Sequence, residues 1–157
     1  MSLISPQDFL SDIKNSYHEF CTLLNPIKEQ DNEASYIRIK NFMSLLIAIE
    51  EDVYEMRLKK IVDEENPYLP AINVDKLREM KLYQAAPLQR LVDKYLALRL
   101  ELLNFLQSLP FNVWDKTGVH ELEGHVTFEE FIRRLVKNDR INIVQLRNNL
   151  TLPQSNN

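Results

Sequence analysis

FEEFIRRLVKNDRINIVQLRNNL, residues Phe128 to Leu150, is the stretch that decides the fold. On a helical wheel at about 100° per residue, Phe131, Ile132, Leu135, Leu146 and Leu150 gather on the side of Phe128. That is the pattern of a long amphipathic helix with one buried stripe. Thr127-Phe128-Glu129-Glu130 supplies its start, a capping box with Thr127 as N-cap and Glu130 three residues on. Asp139 falls in the middle of the stripe, Asn142 inside it and Asn138 at its edge, where a bundle would place leucine. Buried polar groups need partners. These three side chains either fix helix register through local hydrogen bonds or line a pocket at one end of a bundle.

Upstream, the same periodicity recurs three times. A first helix opens at Ser5-Pro6 and carries Phe9, Ile13, Tyr17, Phe20 and Leu24, stopping near Asn25-Pro26. A second is expected from about Glu33 to Glu65, with a stripe of Phe42, Leu46, Ile49, Val53 and Met56, ended by Pro67 and Pro70. Residues 73–84 read as a short helix or irregular crossing before Pro87. A third long helix runs from about Ala86 to Leu109 through Leu91, Tyr95, Leu98, Leu102, Phe105 and Leu109. Only two glycines occur in 157 residues, and the seven prolines fall mostly between the periodic segments. No strand-like alternation is evident, so the expectation is an all-α four-helix bundle. Residues 1–150 form a single domain on this reading, and 151–157 a polar C-terminal tail.

The segment HELEGH, His120 to His125, resembles a zinc-protease helix at first sight. The protease motif sets its histidines four apart, so that both share one helix face. Here they are five apart, about 140° around a helix, and cannot address one ion together. Gly118 and Gly124 bracket the segment, which reads as a shaped loop leading into the last helix.

Bulk properties exclude several function classes. The net charge of −4 gives no basic footprint for nucleic acid. No apolar run reaches a membrane-spanning length, and MSLISPQDFLSDIKN lacks the features of a signal peptide. One cysteine allows no internal disulfide, and a cytoplasmic location is expected.

The order of Trp114, Thr117, Gly118, His120, Gly124, Val126, Thr127 and Glu130, then Asn138, Asp139, Asn142, Gln145 and Leu146, resembles the DinB/YfiT-like superfamily. Glu51, Arg57, Pro67 and Pro70 match that family's acid-then-arginine helix and the proline-rich loop after it. The resemblance implies a four-helix bundle in up-down-down-up order, which suits the long links after helices two and three. It also implies a divalent metal held by one histidine on helix two and two in an H-D-x-x-H segment on helix four, serving thiol transferases or hydrolases. This chain departs from the pattern at all three ligands, with Leu46 (or Leu45, one residue away), Asn138 and Asn142 in their places. Leucine offers no donor, and a neutral amide is a poor ligand for zinc or nickel. The expectation is therefore a bundle with no metal, no cofactor and no catalytic residue. Leu46, Asn138 and Asn142 would line a ligand pocket, with Asp139, His120, Arg57 and Trp114 beside it.

The remaining candidates have simpler readings. His120 would tie its loop to the bundle end, and Trp114 with Phe111 would plug the core. His18 and Cys21 lie three apart on helix one, where inert packing outweighs a catalytic pair. Glu50, Glu51, Asp52 and Glu55 read mostly as a solvated acidic face. The favoured function is binding of a small ligand or protein partner without catalysis, with homodimerisation open. The alternative is a thiol transferase or hydrolase with rearranged metal ligands.

Overall fold

A computed structural model describes residues 5–27, 33–80 and 85–151, without the side chains of Glu33, Val53 and Thr151. The tail beyond Thr151, residues 81–84 of the expected crossing, and Val53 as a member of the second stripe therefore lie outside the described residues. Four long helices form the body: α1 (Pro6–Leu24), α2 (Glu33–Ile49), α5 (Leu88–Ser108) and α6 (Phe128–Thr151). A π-helical segment, Glu50–Glu55, joins α2 to α3 (Met56–Asp63), and a short α4 (Val74–Glu79) precedes α5.

The helix starts follow from the residues that flank them. Ser5 accepts from the Asp8 amide while the Asp8 carboxylate accepts from the Ser5 amide, a reciprocal cap on α1. Thr127 Oγ1 accepts from the Glu130 amide at 3.1 Å, as the sequence predicts. The Glu130 carboxylate, expected to reach back to the cap, instead accepts from Arg134.

Side-chain contacts fix the order of directions. Asp12 pairs with Arg140 and Glu19 with Arg147, so α1 and α6 run parallel. Tyr36 meets Leu88, Glu50 meets Arg99 and Lys59 lies over Phe105, so α2–α3 and α5 run parallel. Arg38 reaches Asn149 while Tyr54 meets Asn138, so α2–α3 and α6 are antiparallel. The bundle is up-down-down-up, with α1 and α2 on one diagonal and α5 and α6 on the other.

Two local expectations fail. Helix two is not one regular helix: the Met56 amide bonds to the Glu51 carbonyl, a five-residue step that inserts an extra residue. The buried positions along this strut run Met43, Ile47, Glu50, Tyr54, Leu58 and Ile61, and Met56 turns out to solvent at 62% exposure. The expected stripe is out of phase by one residue from its start, since Met43 is fully buried while Phe42 and Ile49 are half-buried. The HELEGH segment, expected as a shaped loop, is the turn of a hairpin together with the strand ends beside it. Strands β2 (Thr117–His120) and β3 (Gly124–Thr127) pair antiparallel across it, and β1 (Tyr68–Leu69) joins β2 in parallel. Strands of two to four residues are too short to show alternation. Gly124 turns the hairpin at φ +76°, a conformation that disfavours side chains. Gly118 packs so closely that an added Cβ would lie 2.5 Å from Leu69 Cδ1.

The core is divided. One apolar cluster surrounds Phe9, Trp114 and Phe128 at the hairpin end. The other surrounds Phe20, Met43, Tyr95 and Leu146 in the opposite half. Between them, one residue from each long helix-bearing strut is buried and polar: Ser16, Glu50, Arg99 and Asp139. No described helix is long and apolar enough to cross a membrane.

Candidate functional site

The polar layer is built around Arg99. It sits four residues after Tyr95 and three before Leu102, inside the inward stripe of α5. Its Nε and one terminal nitrogen donate to Glu50 at 2.6 and 2.9 Å. The terminal nitrogens donate to Asp139 at 2.6 and 3.0 Å, so each carboxylate is held by a two-bond fork. The guanidinium carbon lies 5.8 Å from the Phe20 ring centroid and 5.7 Å from that of Tyr95, within cation–π range. Burial works against the Arg99 charge, but Asp139 and Glu50 outweigh it and hold the guanidinium well above its ordinary value. Burial raises Asp139 above the usual carboxylate range, opposed by Arg99 and by a hydrogen bond from Ser16. Beside the layer, Asn138 donates to the Tyr54 hydroxyl at 2.9 Å. Burial is the main cause that pushes the Tyr54 phenol up to about 12.

The sequence puts Asp139 on the inward stripe of α6, where it is buried, and does not itself show its partners. Glu50 belongs not to a solvated acidic face but to the core, at 1% exposure. Arg99 escaped notice because Leu98 beside it was assigned to the stripe, yet Leu98 is only half-buried while Arg99 is 1% exposed. The signal was available: Leu88, Leu91, Val92, Tyr95, Leu96, Leu102, Leu103 and Leu106 phase a stripe that runs through position 99.

A cleft of about 530 Å³ opens between α2, α4 and α6. Phe42, Leu45, Leu46 and Ile49 of α2, with Leu77 of α4, make its apolar walls. Asn142 and Gln145, three apart on α6, and Asn41 and Ser44 on α2 add neutral polar groups. The Ser44 hydroxyl is turned back to the Lys40 carbonyl.

The seven candidate residues fall in three places. Leu46 and Asn142 line the cleft together. Asn138 and Asp139 face Tyr54 and Arg99 instead, in the polar layer. Arg57, Trp114 and His120 belong to the hairpin half of the molecule, away from the cleft lining. Arg57 is buried and donates to the Pro70 carbonyl, tying the start of α3 to the loop after β1. His120 Nδ1 accepts from the Leu122 and Glu123 amides at 3.1 and 3.3 Å, which leaves that nitrogen shaping the hairpin turn. Trp114 is the core plug expected of it, its Nε1 buried without a partner, whereas Phe111 is 52% exposed and plugs nothing. Tyr17 hydrogen-bonds Cys21 within the second apolar cluster, and His18 is exposed.

The positions where the family resemblance puts metal ligands do not suit a metal. Leu46 carries no donor atom, Asn142 offers a neutral amide, and the Asn138 amide is engaged with Tyr54. Among the described residues, no three His, Cys, Asp or Glu side chains come together as a metal-binding group.

No family model and no curated protein matches the chain. Among solved structures, it is similar to YfiT from Bacillus subtilis, described as a probable metal-dependent hydrolase with an unusual four-helix bundle topology. The TM-score is 0.76 at 12% sequence identity, covering 95% of this chain and 87% of YfiT. With the parallel α1–α6 and α2–α5 pairs seen here, this chain has the four-helix-bundle fold of YfiT.

Proposed function

We propose that this chain is a metal-free, non-catalytic bundle that binds a small ligand in the cleft between α2, α4 and α6. The observation that carries the reading is the pairing of Leu46 and Asn142 in one cleft. Two positions that the family resemblance gives to metal ligands here meet as an apolar wall and a neutral amide. Its volume lies in the range of small-molecule sites, which combine mostly apolar walls with a few placed polar groups. Metal analysis of untagged protein, with thermal unfolding before and after chelation, tests the metal-free part. The expected result is no stoichiometric ion and an unchanged Tm. An ion whose removal lowers Tm overturns it.

The likeness to a probable metal-dependent hydrolase supports a second reading, in which the cleft is an active site with rearranged ligands. That reading requires turnover of an ester or a thiol conjugate that depends on an added divalent ion and falls on Asn142→Ala.

A further inference from the structure

The chemistry of the cleft narrows what it would hold. Resting on the proposal that this cleft is a ligand site, we infer that its ligand is a small apolar monocarboxylate. Three observations combine. The inner walls are aliphatic and aromatic, so the body of the ligand is apolar. Among the described residues lining it, Arg78 is the one charged side chain, and no carboxylate lines the cleft. Electrostatics therefore favours an anion over a cation. The side-chain amides of Asn142 and Gln145 make no hydrogen bond among the described residues. Both can turn N–H donors toward an acceptor that sits on the apolar floor.

Arg78 is available for such a role. Its only ion pair among the described residues is with Asp75 at 3.3 Å, one turn back on α4, and the two side chains are 63% and 84% exposed. An exposed pair of this kind contributes little, so a ligand carboxylate that brings its own apolar anchor competes for the guanidinium at small cost. A carboxylate accepts from the planar fork of Arg78 on one side and from amide N–H groups on the other. A neutral amide head forgoes the charge-assisted bond, and an ammonium head meets Arg78 as a like charge.

Octanoate, octanamide and octylamine test this, since they share one chain and differ in the head. Each is titrated into the full-length protein by calorimetry, with amide shifts of labelled protein locating the site. Octanoate is expected to shift cleft residues of α2 and α6 and to bind about fivefold tighter than octanamide. Octylamine should be the weakest. Arg78→Gln, a change at an exposed position, should bring octanoate to the octanamide level while leaving octanamide unaffected. If octanamide binds as tightly as octanoate, or Arg78→Gln leaves their ratio unchanged, the carboxylate inference is overturned while the cleft stands as a ligand site. If none of the three moves a cleft signal, the inference and the binding function beneath it both fail.

Discussion

Replacing Arg99 by methionine isolates what the polar layer contributes. The substitution keeps an unbranched apolar stem among Phe20, Tyr95 and the helices, and removes the one cation between two carboxylates. Glu50 and Asp139 are each 1% exposed and would face one another with four charge-assisted hydrogen bonds lost. Breaking a buried ion pair from one side costs about 3–5 kcal/mol, because the charge left behind stays desolvated. In a domain of this length each kcal/mol moves Tm by roughly 2–4 °C, so Arg99→Met should lower Tm by roughly 6–20 °C at neutral pH. Removing all three charges together, as Glu50→Met, Arg99→Met and Asp139→Leu, should recover most of that loss or exceed the native stability. The pH dependence has a definite sign. Burial already raises Asp139, and removing Arg99 raises it further, so the folded state binds a proton more tightly than the unfolded chain. Its contribution is then greatest at low pH and lost as pH rises, and the Arg99→Met deficit should shrink between pH 7 and pH 5. Calorimetry across that range reads both effects. A loss under about 1 kcal/mol, or a deficit independent of pH, would refute the idea that the guanidinium neutralises this layer.

Two further perturbations probe other parts of the frame. Gly118→Ala sets a Cβ 2.5 Å from Leu69 Cδ1, 3.1 Å from Leu69 Cγ and 3.3 Å from Ile61 Cγ1, two buried side chains that would both have to shift; a loss of about 1–3 kcal/mol by urea unfolding is expected, and wild-type stability would show that the β1–β2 contact yields to a methyl group. For Tyr54, a phenol raised from about 10 in the unfolded chain to about 12 in the fold stabilises below pH 10 and loses that contribution, about 3 kcal/mol, as pH climbs toward 12. The stability gap between wild type and Tyr54→Phe should therefore narrow over that interval, and a constant gap would mean that the hydroxyl is not desolvated.

How far the sequence discloses the molecule depends on the length over which each signal acts. Helix α6 was legible almost to the residue because Phe131, Leu135 and Leu146 repeat over six turns and Thr127 marks the start. The existence of helix α2 was legible, but not the phase of its buried stripe. Apolar residues crowd both Phe42 and Met43, and Leu45, Leu46 and Ile47, so the stripe can be drawn one residue out of phase; Met56 then looks inward and Tyr54 does not. The hairpin at HELEGH was invisible because pairing between four-residue strands is a tertiary event held by Gly118, Gly124 and the His120 turn. Arg99 is the most instructive omission. A single charged residue in an apolar stripe is ordinarily discounted, and its meaning comes only from two acids, 49 positions before it and 40 after it.

The polar layer and the cleft are linked by the geometry of two helices. Leu46 of α2 lies four residues before Glu50, the first residue of the π-helical segment, and Asn142 three residues after Asp139 on α6, so each cleft residue stands one turn from a carboxylate clamped by Arg99. The guanidinium therefore ties Glu50, next after α2, and Asp139 of α6 to α5, one turn away from Leu46 and Asn142. This arrangement predicts a coupling that a purely local cleft would lack. Arg99→Met, at a temperature where the protein is still folded, should weaken octanoate binding although Arg99 does not line the cleft. Arg78→Gln should weaken it with no change in Tm. If Arg99→Met lowers Tm and leaves the affinity untouched, the layer supports the fold alone and the cleft walls are held by their own packing.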